Sequence, residues 1–118
     1  MKTEDIEKDL KLNFEEFLQS GEEELKKDRY NSAVTSYFKA IVILCDLKIY
    51  QKIGLLPKNH NERFLFLKMH FKEVSDELTK LFNLYTDSYN LRMNKEDAEL
   101  LKENVKKIRD ILGFKENI

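Results

Sequence analysis

Apolar residues recur at three- and four-residue steps along most of the chain, and no run alternates apolar with polar residues as a half-buried strand would. The first such stripe, Ile6, Leu10, Phe14, Phe17, Leu18, Gly21 and Leu25, predicts a helix over 3–27 with acids crowding its other face. Gly21 inside that stripe costs about 1 kcal/mol relative to Ala. Close approach of a second helix offsets such a cost, so Gly21 predicts a helix crossing. A short turn at 28–31 leads to a second helix from Tyr30 or Asn31 to Lys52. Its stripe of Ala33, Val34, Tyr37, Phe38, Ile41, Leu44, Cys45 and Lys48 is widened by Ala40, Val42, Ile43 and Leu47. A helix apolar around most of its girth belongs in the middle of a bundle.

The stretch GLLPKN, 54–59, breaks the pattern: Gly54 can end the second helix and Pro57 cannot continue it. Asn59 or Asn61 can cap the next helix. Its apolar positions then run through Phe64, Leu67, Phe71, Val74, Leu78, Leu81, Phe82 and Tyr85, with a segment reaching Arg92. That is long for one helix of this chain, and a bend or break is expected near Glu73–Asp76. Asn94 with Asp97 forms a capping-box variant, Ala98, Leu101, Val105, Ile108 and Leu112 make the last stripe, and Gly113 ends it. The tail FKENI leaves the helix, with Phe114 packed back. The expectation is an all-α, single-domain antiparallel bundle of four to five helices over 1–118.

Composition agrees with that pattern. A chain of 118 residues with 42% hydrophobic residues can bury one core, and 3 Gly with 1 Pro are too few turn formers for a many-stranded protein. The net charge of −1 excludes a global nucleic-acid signal. The charge is nevertheless uneven. Residues 1–28 hold five Lys against ten acids, a net of −5, and 29–118 hold sixteen basic residues against twelve acids, a net of +4. Within 48–72, Lys48, Lys52, Lys58, Arg63, Lys68 and Lys72 face Glu62 alone, which reads as a solvated face or as a modest phosphate-facing patch. The single cysteine, Cys45, lies in the apolar run IVILCDL and reads as a core residue. It allows no intrachain disulfide. The acidic N-terminus has no signal-peptide pattern and no run is long enough to span a bilayer, so a cytoplasmic protein with no membrane association is expected.

The segment DRYNSAVTSYFKAI, 28–41, resembles the second half of a tetratricopeptide unit. Thirty-four residues after Tyr30, Ala33 and Ala40, however, stand Phe64, Leu67 and Val74, so the unit is not repeated, and a tetratricopeptide-like adaptor is the weaker reading. Taken with the segments C-terminal to it, the chain over roughly 5–112 resembles the HEPN superfamily of small helical bundles. RYNSAVTSYFKAI stands for its central helix, GLLPKNH for its loop and next helix start, and YTDSYNLR for the end of its fourth helix.

The resemblance implies a homodimer, and in the nuclease members an Arg and a His, four to six residues apart, that cleave RNA without metal. Arg suits an anionic phosphorane and His suits proton transfer near neutral pH. Here the matching Arg is Arg92, followed by Met93, and the window for the His reads Asp97, Ala98, Glu99. No His stands after His70. A carboxylic acid with its ordinary pKa near 4 is a poor proton donor at neutral pH. The resemblance therefore implies a non-catalytic binding or interaction module, binding nucleotide or RNA or pairing with a small nucleotidyltransferase in a toxin–antitoxin-like system. A metal-independent RNase with a rebuilt acid–base pair, Arg92 with Asp97 or a tyrosine, is the alternative.

Tyr85 and Tyr89 share a helix face and Arg92 lies three residues on, so the candidate ligand-binding set is Arg92, Tyr89, Tyr85 and Asp97, an anion or nucleotide site near a helix end. No catalytic residue, metal ligand or cofactor is assigned. His60 at a helix start reads as a capping or structural residue. His60 and His70, ten apart, would stand about 80° and about 15 Å from each other on one helix and cannot share a metal.

Overall fold

Five helices succeed one another along residues 3–114, the residues that this computed structural model describes: α1 (Thr3–Lys26), α2 (Tyr30–Ile53), α3 (His60–His70), α4 (Lys72–Asp87) and α5 (Lys95–Ile111). No strand occurs among them, so the chain is the all-α bundle that its periodicity predicts. Residues 115–118, most of the FKENI tail, lie outside the described part. No described helix is long and apolar enough to cross a membrane.

The helix ends obey local chemistry. Asn59 caps α3, its Oδ1 accepting the Glu62 N–H at 2.9 Å. At α5, Asn94 Oδ1 accepts the Asp97 N–H at 2.8 Å while Asp97 Oδ2 accepts the Asn94 N–H at 3.0 Å, a complete reciprocal capping box. Gly54 stops α2 in the left-handed region at φ 72° and donates its N–H to the Tyr50 carbonyl. After α5, Gly113 at φ 83° donates to the Asp110 carbonyl and Phe114 to the Arg109 carbonyl, the paired bonds of a Schellman motif. Phe114 turns back onto the core as expected, with Lys48 Nζ 5.0 Å from its ring centre.

α1 ends with the same paired bonds, made by Asp28 to the Leu25 carbonyl and by Arg29 to the Glu24 carbonyl. Here the left-handed position, φ 59°, is held by Asp28, a residue with a Cβ.

α2 is the middle of the bundle. Ala33, Val34, Tyr37, Phe38, Ile41, Leu44 and Cys45 are buried along it, and α1, α5, α4 and α3 all pack against it. One core results, completed by Phe14 of α1, Leu67 of α3, Val74, Leu78 and Leu81 of α4, and Ala98, Leu101, Val105 and Ile108 of α5. With neighbours on each side, α2 offers no open concave face of the kind a solenoid adaptor uses.

Gly21 marks the α1–α2 crossing as its position predicts. A Cβ placed there would lie 2.7 Å from the Tyr37 ring, which is wholly buried. The break in the long third segment falls at Phe71 (φ −143°, ψ 67°), two residues before the expected window. An unbroken helix over 60–87 would be about 42 Å long at 1.5 Å per residue. The molecule's longest dimension is 38 Å. Breaking at Phe71 lets both halves lie within that length, and Leu67 and Val74, on either side, are both fully buried.

Asn31, at the start of α2, ties down the turn between α4 and α5. Its Nδ2 donates to the carbonyls of Ser88 and Leu91, both at 2.8 Å, and its Oδ1 accepts the Met93 N–H at 3.0 Å. Arg92 therefore sits on a turn anchored at both sides, and Met93 is buried in the core.

Candidate functional site

A cavity of about 360 Å³ opens where α1, α2, the start of α3 and α4 meet. α2 supplies Phe38, Lys39, Val42 and Ile43, four positions that three- and four-residue helical steps bring to one side. α1 adds Phe17, the α3 start adds Asn59, His60 and Arg63, and α4 adds Tyr85.

The wall is largely aromatic. Tyr85 stacks on Phe38 with ring centres 4.5 Å apart and planes 15° from parallel. Outside the lining, Phe82 lies 4.9 Å from His60, 6.0 Å from Phe38 and 5.9 Å from Phe64, backing these rings with further aromatic contacts. Lys39 is exposed at the rim, its Nζ 5.5 Å from the centre of the Phe17 ring, within the range of cation–π attraction.

Beside this wall Arg63 forms a fork with Asp46 of α2: Nε to Oδ1 at 2.6 Å and Nη2 to Oδ2 at 2.9 Å. The two side chains are only 9% and 16% exposed, so neither charge could stand there without the other. The third corner of the guanidinium, Nη1, lies 2.7 Å from His60 Nδ1. An arginine N–H only donates, so Nδ1 must accept, and the neutral imidazole carries its proton on Nε2. Burial first, then the Arg63 charge, holds His60 below its ordinary pKa of 6.5, with Asp46 opposing. Protonation would set an Nδ1–H against the Arg63 N–H.

Sequence reasoning placed Arg63 in a basic stretch and His60 at a cap, and did not single out Asp46. Arg63 in fact turns inward and is neutralised, so it is removed from any phosphate-facing patch. The signal that was present is Asp46 itself, the only charge in the run IVILCDL of a helix buried around most of its girth. A buried acid requires a buried cation.

The four candidate residues divide. Tyr85 and Tyr89 come together, their hydroxyls 2.7 Å apart, and that hydrogen bond, with burial next in weight, pushes the Tyr85 phenol up to about 12. Tyr85 lines the cavity, whereas Tyr89 is 67% exposed. Arg92 is exposed, and no hydrogen bond or ion pair joins it to either tyrosine or to Asp97 among the described residues. Asp97 is engaged in the α5 cap. His60 and His70 stand at opposite ends of α3, and no group of three or more metal-ligating side chains gathers among the described residues. Cys45 is fully buried, and burial pushes its thiol up to about 12, so it is a packing residue rather than a nucleophile.

No family model, no curated protein and no solved structure matches this chain.

Proposed function

We propose that the chain is a non-catalytic, HEPN-like binding module, that the aromatic cavity beside α2 is its ligand site, and that it takes a nucleotide, free or within RNA. The observation that carries this reading is the cavity itself: an apolar and aromatic lining, with Tyr85 stacked on Phe38, and a few polar side chains, Lys39 at the rim among them, the usual make-up of a small-ligand site. Tyr85, stacked on Phe38 by one face, is then the ring available to a base, Tyr89 holds the Tyr85 hydroxyl, and Arg92, exposed and outside the cavity lining, is a cation for a phosphate that extends beyond it.

The same resemblance carries two partner proposals, a second copy of the chain and a small nucleotidyltransferase. The setting is a reducing cytoplasm, a reading that the lone buried Cys45 supports. The alternative of an RNase pairing Arg92 with Asp97 gains nothing from the geometry, because Asp97 already accepts the Asn94 N–H.

Titration with AMP, GMP, CMP, UMP and a ten-nucleotide single-stranded RNA, read by melting temperature and fluorescence, tests the proposal. Binding is expected to weaken in Tyr85→Leu by about 1–3 kcal/mol, the worth of one base–aromatic stack. It should weaken less in Arg92→Ala. A chain that responds to none of these ligands at millimolar concentration overturns the reading, and cleavage of the RNA without metal would establish the nuclease alternative instead.

A further inference from the structure

We infer that the cavity between α1, α2, α3 and α4 selects a flat aromatic ring carrying one negative charge. This rests on the reading of the cavity as a ligand site and narrows what it accepts. Three observations carry it.

The first is shape. Phe17, Phe38, Val42 and Ile43 present an apolar wall, and about 360 Å³ falls at the small end of the range typical of ligand pockets, room for a fused ring system with a short substituent.

The second is the direction of the hydrogen bonds. The Lys39 ammonium can only donate. His60, its Nδ1 held by Arg63, is left with an Nε2–H donor that has no partner among the described residues. The Asn59 side-chain oxygen already accepts the Glu62 N–H, and its backbone oxygen accepts the Arg63 N–H. The Tyr85 hydroxyl is bonded to Tyr89. Lys39 and the His60 Nε2–H are thus donors at the cavity without a hydrogen-bond partner among the described residues, and they ask for an acceptor.

The third is the charge. Arg63 brings one positive charge and Asp46 cancels it through both carboxylate oxygens, so the free charge at the cavity is that of Lys39, a net of one. One anionic group neutralises it. A second would sit uncompensated beside aromatic rings, and a cation would meet only like charge. Asp46 thus acts as a positioning residue twice over: it removes the Arg63 charge from the site and, through Arg63, sets the His60 tautomer.

This chemistry has two sources, a free aromatic carboxylic acid and a nucleotide within RNA, whose phosphodiester carries a single charge. A free nucleoside monophosphate carries about two charges at neutral pH, so this inference narrows the proposed nucleotide to one within RNA. The test is a titration of the full chain monitored by ¹H–¹⁵N correlation spectra, with 2-naphthoate, 2-naphthamide and 2-naphthylmethylammonium, one ring system in three charge states. Naphthoate is expected to shift the amides around Lys39, His60 and Tyr85 and to bind roughly tenfold more tightly than the other two, the worth of one charge-assisted hydrogen bond. Lys39→Met should abolish that preference and Lys39→Arg should keep it. Long-range ¹H–¹⁵N spectra of the free protein should show His60 protonated on Nε2.

Equal binding of the three probes, shifts away from the cavity, or a preference that survives Lys39→Met overturns the inference. Competition of naphthoate with the dinucleoside monophosphate ApA assigns the site to a nucleotide within RNA. Naphthoate binding without such competition assigns it to a free aromatic acid, and the nucleotide reading then falls while this inference stands. Nucleotide binding with no charge preference does the reverse.

Discussion

Gly21 shows how one missing side chain sets a contact. Its place in the α1 stripe is conspicuous in the sequence because glycine is a poor helix former, and the crossing it signals is the one with α2. A methyl group there would meet the Tyr37 ring at 2.7 Å, and Tyr37 is fully buried. Gly21→Ala therefore sets a gain in helix propensity of about 1 kcal/mol against an overpacking cost of about 1–3 kcal/mol. Net destabilisation is expected, read as a lower urea midpoint at unchanged slope. A midpoint equal to or above that of the parent would show that the ring moves aside. Asp46 is the opposite case. Its environment comes from Arg63, seventeen positions on, and no local pattern announces which cation will reach it. Lys39 likewise lies in a series of ordinary surface lysines until Phe17 and the start of α3 are brought alongside.

At the scale of the element, the boundaries set by local hydrogen bonds were legible. Asn59, Gly54, the Asn94–Asp97 box and Gly113 each act through residues within five positions of themselves, so their chemistry is written where it is used. Two others carried weaker marks. The break at Phe71 was expected from the length of the segment but has neither Pro nor Gly to fix its position, and it falls two residues before the expected window. The end of α1 uses Asp28 in the left-handed region, where glycine is the usual occupant. Asp28→Gly relieves the Cβ strain at the cost of an exposed hydrogen bond from the Tyr30 hydroxyl. It should stabilise the protein by about 0.5–1 kcal/mol, seen as a raised melting temperature. A fall instead would show that the Asp28 carboxylate contributes more at this turn than its backbone strain costs.

For the whole molecule, burial makes itself felt in the response to pH. The Cys45 thiol is pushed from 9.0 to about 12 by burial, and the Tyr85 phenol from 10.0 to about 12 by its bond to Tyr89 and by burial. Burial, then the neighbouring Glu22, also raises the Tyr37 phenol. A raised folded-state pKa contributes stability that is complete below the unfolded value and is lost as pH rises towards the folded one. The melting temperature should accordingly hold to about pH 9 and fall steadily from there towards pH 12, where a flat profile would mean that these groups are open to solvent. His60, lowered by burial and by Arg63, has the other sign: its contribution is present above pH 6.5 and declines as pH falls below it.

The sequence by itself determined the helical class, the order of the helical segments and the central place of α2, and left open whether there were four helices or five. Periodicity and capping are local properties, and a helix apolar on most sides has only one place to go. It also paired Tyr85 with Tyr89, but on a shared helix face, whereas α4 ends at Asp87 and the two hydroxyls meet with Tyr89 in the turn that follows. The tertiary structure alone decided where the chemistry lies. Four segments of the chain meet at one cavity, Arg63 leaves the basic stretch to neutralise Asp46, and Tyr85 comes to line that cavity while Arg92 stays outside its lining. Each of these depends on which surfaces the packing of five helices leaves in contact, and that is a property of the assembled bundle rather than of any one segment.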